Sequence, residues 1–236
     1  MATSGTYDFA PGVGEVILNA LSRIGIRGPS IKAEHLATAA VEANLLQAEW
    51  ANKGPTLWTV DTVVTPTVVG TATYPVPPET IMILNVTRGI LNGDGTETDI
   101  VISPLSRQEY FSYPNKTTPG PPTSFWFDRQ ISPTITLWPV PDDVYNLNVQ
   151  RFRQIQDANI GAAGNFQIPY RWLDAACAGL AFRLARHYAT NLEMQRKIDY
   201  EGNKAMGMRG AYDIAADQDV EDSSLYILPA LSGYYR

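Results

Sequence analysis

Apolar positions at helical spacing open the chain. Val13, Val16, Ile17, Ala20, Leu21 and Ile24 recur every three or four residues, which predicts an amphipathic helix entered at Pro11. Gly25 and the Gly28-Pro29 pair stop it. Leu36, Ala39, Ala43, Leu46 and Trp50 form a second stripe, capped at Ser30 and ending near Gly54-Pro55, whose alanines let another helix approach closely. From residue 56 the period changes to alternation. Strands are expected at 59–69, 81–90, 99–102, 124–128, 134–137 and 145–152, with a hairpin at Asn92-Gly93-Asp94-Gly95, where glycine and Asn/Asp tolerate positive φ. In the last of these, Tyr145, Leu147 and Val149 alternate with Asn146, Asn148 and Gln150, as in a half-solvated antiparallel strand. Helical spacing resumes with Leu173, Ala176, Cys177, Leu180, Leu184 and Tyr188 on one face, after Ile168-Pro169. A further helical segment, 192–212, uses Met194, Ile198, Ala205 and Met208 and pairs Glu193 with Lys197. Gly202, Gly207 and Gly210 weaken its far end, so it bends there or straightens only against a partner.

The resulting fold class is α+β. A bundle of N-terminal (1–55) and C-terminal (161–216) helices carries an inserted antiparallel β-sandwich or barrel-like domain (56–160) and an extended C-terminal arm (217–236). The arm stands apart from the rest. Asp217, Asp219, Glu221 and Asp222 make an acidic patch, followed by Ser223-Ser224 and then Leu225, Tyr226, Ile227, Leu228, Pro229, Leu231, Tyr234 and Tyr235. So apolar and aromatic a terminus is unlike a disordered tail, and reads as an arm that orders on another subunit.

Composition sharpens this picture. Hydrophobic residues make up 44% of the 236, while charged residues reach only 18%, below the usual quarter. A charge-poor surface fits one covered by other protein. The formal net charge is −6, and no basic stripe of the kind that grips phosphates is visible. The single cysteine, Cys177, excludes an intramolecular disulfide and a cysteine metal cage. With no leader-like N-terminus and no apolar run of membrane-spanning length, the chain is expected in the reducing cytosol, without a membrane role.

Catalytic arrangements are missing. His35 and His187 sit on expected helices without a nucleophile or carboxylate in a recognisable motif. Gly12-Val13-Gly14 lacks the third glycine and the preceding strand of a dinucleotide site, and the 94–99 region lacks calcium-loop spacing. Glu109, Asp128, Asp142 and Asp143, among Tyr110, Phe111, Trp126 and Trp138, are the candidates for a glycan-binding or glycan-cleaving module. The stronger account is structural: Trp138-Pro139-Val140-Pro141-Asp142-Asp143 leaves a strand into a turn, and the tryptophans serve as core and edge packing. No catalytic residue, cofactor or metal site is assigned.

Three elements carry a family resemblance: Ala20-Leu21-Ser22-Arg23-Ile24-Gly25-Ile26, Leu137-Trp138-Pro139-Val140-Pro141, and Ile168-Pro169-Tyr170-Arg171-Trp172. In this order the chain resembles the head-to-tail adaptor (connector) proteins of tailed bacteriophages, including the tail tubular protein A group. The resemblance implies a non-enzymatic virion protein of the neck, assembled in the host cytoplasm. Copies would form a ring, typically of twelve, below the portal, joining the DNA-filled capsid to the tail. Its partners would be itself, the portal protein and a tail nozzle or tail-tube protein, with double-stranded DNA passing the lumen without sequence-specific binding. Leu225, Tyr226, Ile227, Leu228, Pro229, Leu231, Tyr234 and Tyr235 would form the portal-docking arm. Another tail-tube or head-completion protein is the structural alternative.

Overall fold

The structure is a computed structural model and describes residues 9–53, 57–93, 95–159 and 166–219. In chain order, helices α1 (Val13–Arg23) and α2 (Ala33–Lys53) come first. Strands β1 (Val60–Pro66), β2 (Thr73–Pro75), β3 (Thr80–Leu91), β4 (Glu97–Val101) and β5 (Ser103–Leu105) follow. Helix α3 (Arg107–Ser112) leads into β6 (Ser124–Asp128), β7 (Thr134–Trp138) and β8 (Asn146–Arg153). Helices α4 (Leu173–Tyr188) and α5 (Glu193–Glu201), the two-residue strands β9 (Gly202–Asn203) and β10 (Met208–Arg209), and helix α6 (Ala211–Asp217) complete it. The chain is α+β. It divides into two compact units, residues 1–58 with 155–236, and residues 59–154.

In the helical unit, α1 buries Val13, Val16, Ile17, Ala20 and Leu21, the stripe its spacing predicts. Its end is a Schellman motif: Gly25 takes φ 90°, Ile26 N–H reaches the Leu21 carbonyl at 3.0 Å and Gly25 N–H the Ser22 carbonyl at 3.1 Å. Helix α2 does not start at Ser30, which ends a short 3₁₀ turn (Gly28–Ser30). Instead the Lys32 N–H donates to His35 Nδ1 at 3.2 Å, so a histidine three residues on does the capping. Helix α4 is the hub and is buried on more than one face, including Ala175, Ala178 and Ala181 beside Leu180 and Leu184. Its small residues admit α1, α2 and α5 around it.

The segment 192–212 is not one helix. It breaks into α5, the tight β9–β10 hairpin and α6. Met194 and Met208 are exposed, and the buried anchor of α5 is Tyr200. Glu193 pairs with Arg186 at 3.2 Å rather than with Lys197. The break is forced where Gly202, at φ 78°, meets Gly210 so closely that a Cβ on either would overlap backbone atoms. Trp172 is the aromatic centre of this unit, with ring centroids 5.1 Å from Trp50, 5.0 Å from Trp58 and 5.5 Å from Tyr212.

The β unit consists of two four-stranded sheets, ordered β1-β8-β3-β4 and β2-β7-β6-β5. Val86, Leu147 and Val149 from the first sheet share one core with Tyr74, Phe125, Ile135 and Leu137 from the second, which is sandwich packing. Pairing is antiparallel except β5–β6, which is parallel because the chain crosses over through α3 between them. The first and last strands pair directly, Val60 opposite Phe152, so the chain enters and leaves this unit side by side. Strand β8 alternates through Leu147 and Val149 and then breaks pattern, since both Arg151 and Phe152 are buried. Arg151 is held by Asp61 at 2.8 Å, Glu79 at 3.1 Å and the Thr80 hydroxyl at 2.7 Å, which compensates its burial.

Candidate assembly surfaces

The arm residues Leu225, Tyr226, Ile227, Leu228, Pro229, Leu231, Tyr234 and Tyr235 lie outside the described residues. What is described is the place from which that segment departs. After α6 the Asp219 carboxylate accepts hydrogen bonds from Arg171 and from the Leu57 N–H, and its side chain is only 4% exposed. The short turn before α4 that carries Arg171 (Tyr170–Trp172) is thereby tied to the chain just after α6.

Beside this anchor runs a groove of about 580 Å³. Helix α1 contributes Val16 and Arg23, the start of α4 contributes Leu173 and Cys177, and α6 contributes Ile214, with Gln218 at its end. Phe9 and Tyr170 stand at it with their rings 6.2 Å apart, and both are largely exposed. The charged side chains in the lining already have partners within the unit. Arg23 pairs with Asp174 at 2.7 Å, Arg171 pairs with Asp219, and the Glu15 carboxylate accepts the Gly12 N–H at 3.1 Å at the start of α1. A buried donor, Arg171 Nε, is without an acceptor. Sequence periodicity could not reveal this groove, because it is made by three elements distant in the chain.

A polar network crosses α2, α4 and α5. Arg183 reaches Glu42 at 3.1 Å and Glu49 at 2.6 Å; His187 lies 3.0 Å from Glu42, and Lys53 lies 2.6 Å from Glu49. Burial acts to raise both carboxyls, but hydrogen bonds from His187 and Arg183 to Glu42, and from Lys53 and Arg183 to Glu49, outweigh it. Both therefore lie below the ordinary value of 4.5. The Tyr200 hydroxyl accepts from Trp50 Nε1 at 2.9 Å and donates to Glu49 at 3.2 Å, and burial raises its pKa strongly. The arrangement is a bundle lock. It accounts for His187, while His35 caps α2 and packs edge-on against Tyr188 at 4.7 Å.

On the β unit, α3 presents an aromatic and cationic shelf. Tyr110 stacks on Trp126 at 5.3 Å, Phe111 meets the same ring at 5.6 Å, and Arg107 and Lys116 lie over these rings within 6.0 Å. Tyr113 stacks on Trp138 at 4.2 Å. The acids weighed for glycan chemistry have local structural partners. Glu109 caps α3 through the Ser106 N–H at 2.7 Å, Asp142 accepts the Tyr145 hydroxyl at 2.8 Å, Asp143 accepts the Val144 N–H at 2.7 Å, and Asp128 accepts from Gln130 at 2.8 Å. The Ser106-Arg107-Gln108-Glu109 spacing is itself a capping-box signature, so α3 had a legible signal.

Among the described residues no group of three or more His, Cys, Asp or Glu is placed to hold a metal ion. Among them, too, no helix is long and apolar enough to cross a membrane. Burial raises the Cys177 thiol, which is half-buried beside Leu173 rather than enclosed in the core.

A comparison with curated proteins finds no match. A family model does match, that of the SU10 adaptor protein, over residues 14–227, which takes in the helices, the β unit and the chain beyond α6. The protein therefore belongs to the SU10 adaptor protein family, a family of phage head-to-tail adaptors, and is a structural component of the virion neck.

Proposed function

We propose that copies of this chain form a ring below the portal, typically of twelve, that joins the DNA-filled capsid to the tail and lines the DNA exit channel. The observation that carries this reading is the family match across both units. The formal net charge of −6 suits a passage that DNA must traverse without sticking, since an acidic wall repels phosphates. Leu225, Tyr226, Ile227, Leu228, Pro229, Leu231, Tyr234 and Tyr235 form the portal-docking arm in this reading, because that stretch is apolar and free of charge. The β unit then belongs to the outer or tail-facing part, where a tail nozzle or tail-tube protein would meet it. The α3 shelf, rich in Arg, Tyr and Trp, has the composition of interface anchors.

Removing residues 225–236 is expected to leave the helical signal intact and abolish attachment to portal-bearing heads. The Tyr226→Ala/Leu228→Ala pair should weaken it by roughly tenfold or more, as loss of buried anchors does. Cosedimentation with purified heads reads both, and normal attachment by the truncated chain ends the arm assignment. Imaging of particles tests the ring: density for the chain in the tail tube, away from the portal, would replace this reading with that of a tail-tube or head-completion component.

A further inference from the structure

The groove and the departing chain belong together. The described residues end at Asp219, clamped to Arg171, and both Arg171 and Gln218 line the groove. The chain beyond thus starts at the groove's lip. We propose that in the unassembled subunit this groove holds the chain's own C-terminal segment around Leu225, Leu228 and Leu231, storing the arm until its partner takes it up. The proposal rests on the arm reading above and adds where the arm resides beforehand.

Three observations select this occupant. The groove's two arginines are already paired with carboxylates, so neither asks a guest for a countercharge, and residues 225–235 carry none. Its volume of about 580 Å³ lies within the roughly 300–1,000 Å³ of pockets that bury a compact apolar ligand. A few leucine and tyrosine side chains fill such a space. Reach is sufficient as well: six residues from Asp219 to Leu225 span up to about 20 Å when extended. A short tether also gives an effective concentration on the order of millimolar, which favours the chain's own segment over a neighbour's. The N-terminal residues 1–8 also lead to the groove, at Phe9, but Thr3, Ser4, Thr6 and Asp8 make them a poorer apolar guest.

The chain's single cysteine supplies the test, because Cys177 lines the groove. Leu225→Cys, Leu228→Cys and Leu231→Cys variants of the full chain are treated with a short bismaleimide and read by denaturing gel and peptide mass spectrometry. At least one should yield a monomer-sized product in which Cys177 is joined to the new thiol. Ile214→Glu, which charges the groove at a half-exposed position, should cut that yield roughly tenfold or more without loss of helical signal. Unlinked monomer in all three variants, linked dimers and larger species, a preferred link from a Ser4→Cys variant, or indifference to Ile214→Glu would each overturn storage in the groove. Attachment of the 225–236 deletion to heads is scored separately. Loss of attachment without a link retains the arm and discards the storage; a link with normal attachment does the reverse.

Discussion

Gly179 shows how a residue's meaning changes with its surroundings. In the middle of α4 a glycine looks like a cost of up to about 1 kcal/mol against alanine. In the folded unit a Cβ there would lie 2.9 Å from both Leu46 Cδ1 and Tyr200 Cε2, and both residues are fully buried. Overpacking of that kind typically costs about 1–3 kcal/mol. Gly179→Ala is therefore expected to destabilise the helical unit by about 1 kcal/mol net, measured by chemical denaturation; a stabilised variant would show that α2 and α5 yield easily. Gly210→Ala should be worse, since its neighbours are backbone atoms of Tyr200 and Gly202 that cannot rotate away. Arg183 is the other decisive residue. Arg183→Met is expected to cost about 2–3 kcal/mol at neutral pH, below the range for a fully buried pair because Glu49 remains 27% exposed. Glu42 and Glu49 have folded values below their unfolded 4.5, so their contribution is complete above that pH and fades as pH falls further. The gap between wild type and variant should accordingly narrow below about pH 4 in thermal melts. A constant gap would place the effect in packing rather than charge.

At the scale of elements, the periodic ones were legible and the contextual ones were not. The stripe of α1, the Gly25 stop, the alternation in β8 and the span of β6 follow from local pattern. Strands β2 and β5 are three residues each, too short for a period to emerge, and exist because β7 and β6 offer them partners. The break of 192–212 is a tertiary effect of the Gly202–Gly210 approach, not of helix propensity alone. Edge chemistry also becomes visible only with the strand order. Pro66, Pro75 and Pro104 fall on β1, β2 and β5, three of the four sheet edges, and the fourth edge, β4, carries Glu97 and Asp99. Prolines and charges there discourage edge-to-edge pairing between copies.

For the whole molecule, the pairing of β1 with β8 makes the β unit self-contained: its two ends are neighbours, and its core draws only on residues within 59–154. Residues 59–154 expressed alone are expected to fold, giving dispersed amide resonances and one cooperative melt. Collapse or aggregation of that fragment would mean the helical unit is required for its fold. Within 59–154, Arg151 with Asp61, Glu79 and Thr80 ties the first strand, the last strand and β3 together where the chain enters and leaves.

Sequence alone determined the alternation of periods and hence the α+β class, the family and the apolar character of the C-terminal segment, because all three are written in local order and spacing. Only the tertiary structure decided the groove, the Arg183 lock and the shelf on α3. Each gathers side chains from distant positions, and no periodicity along the chain encodes which distant surfaces will meet.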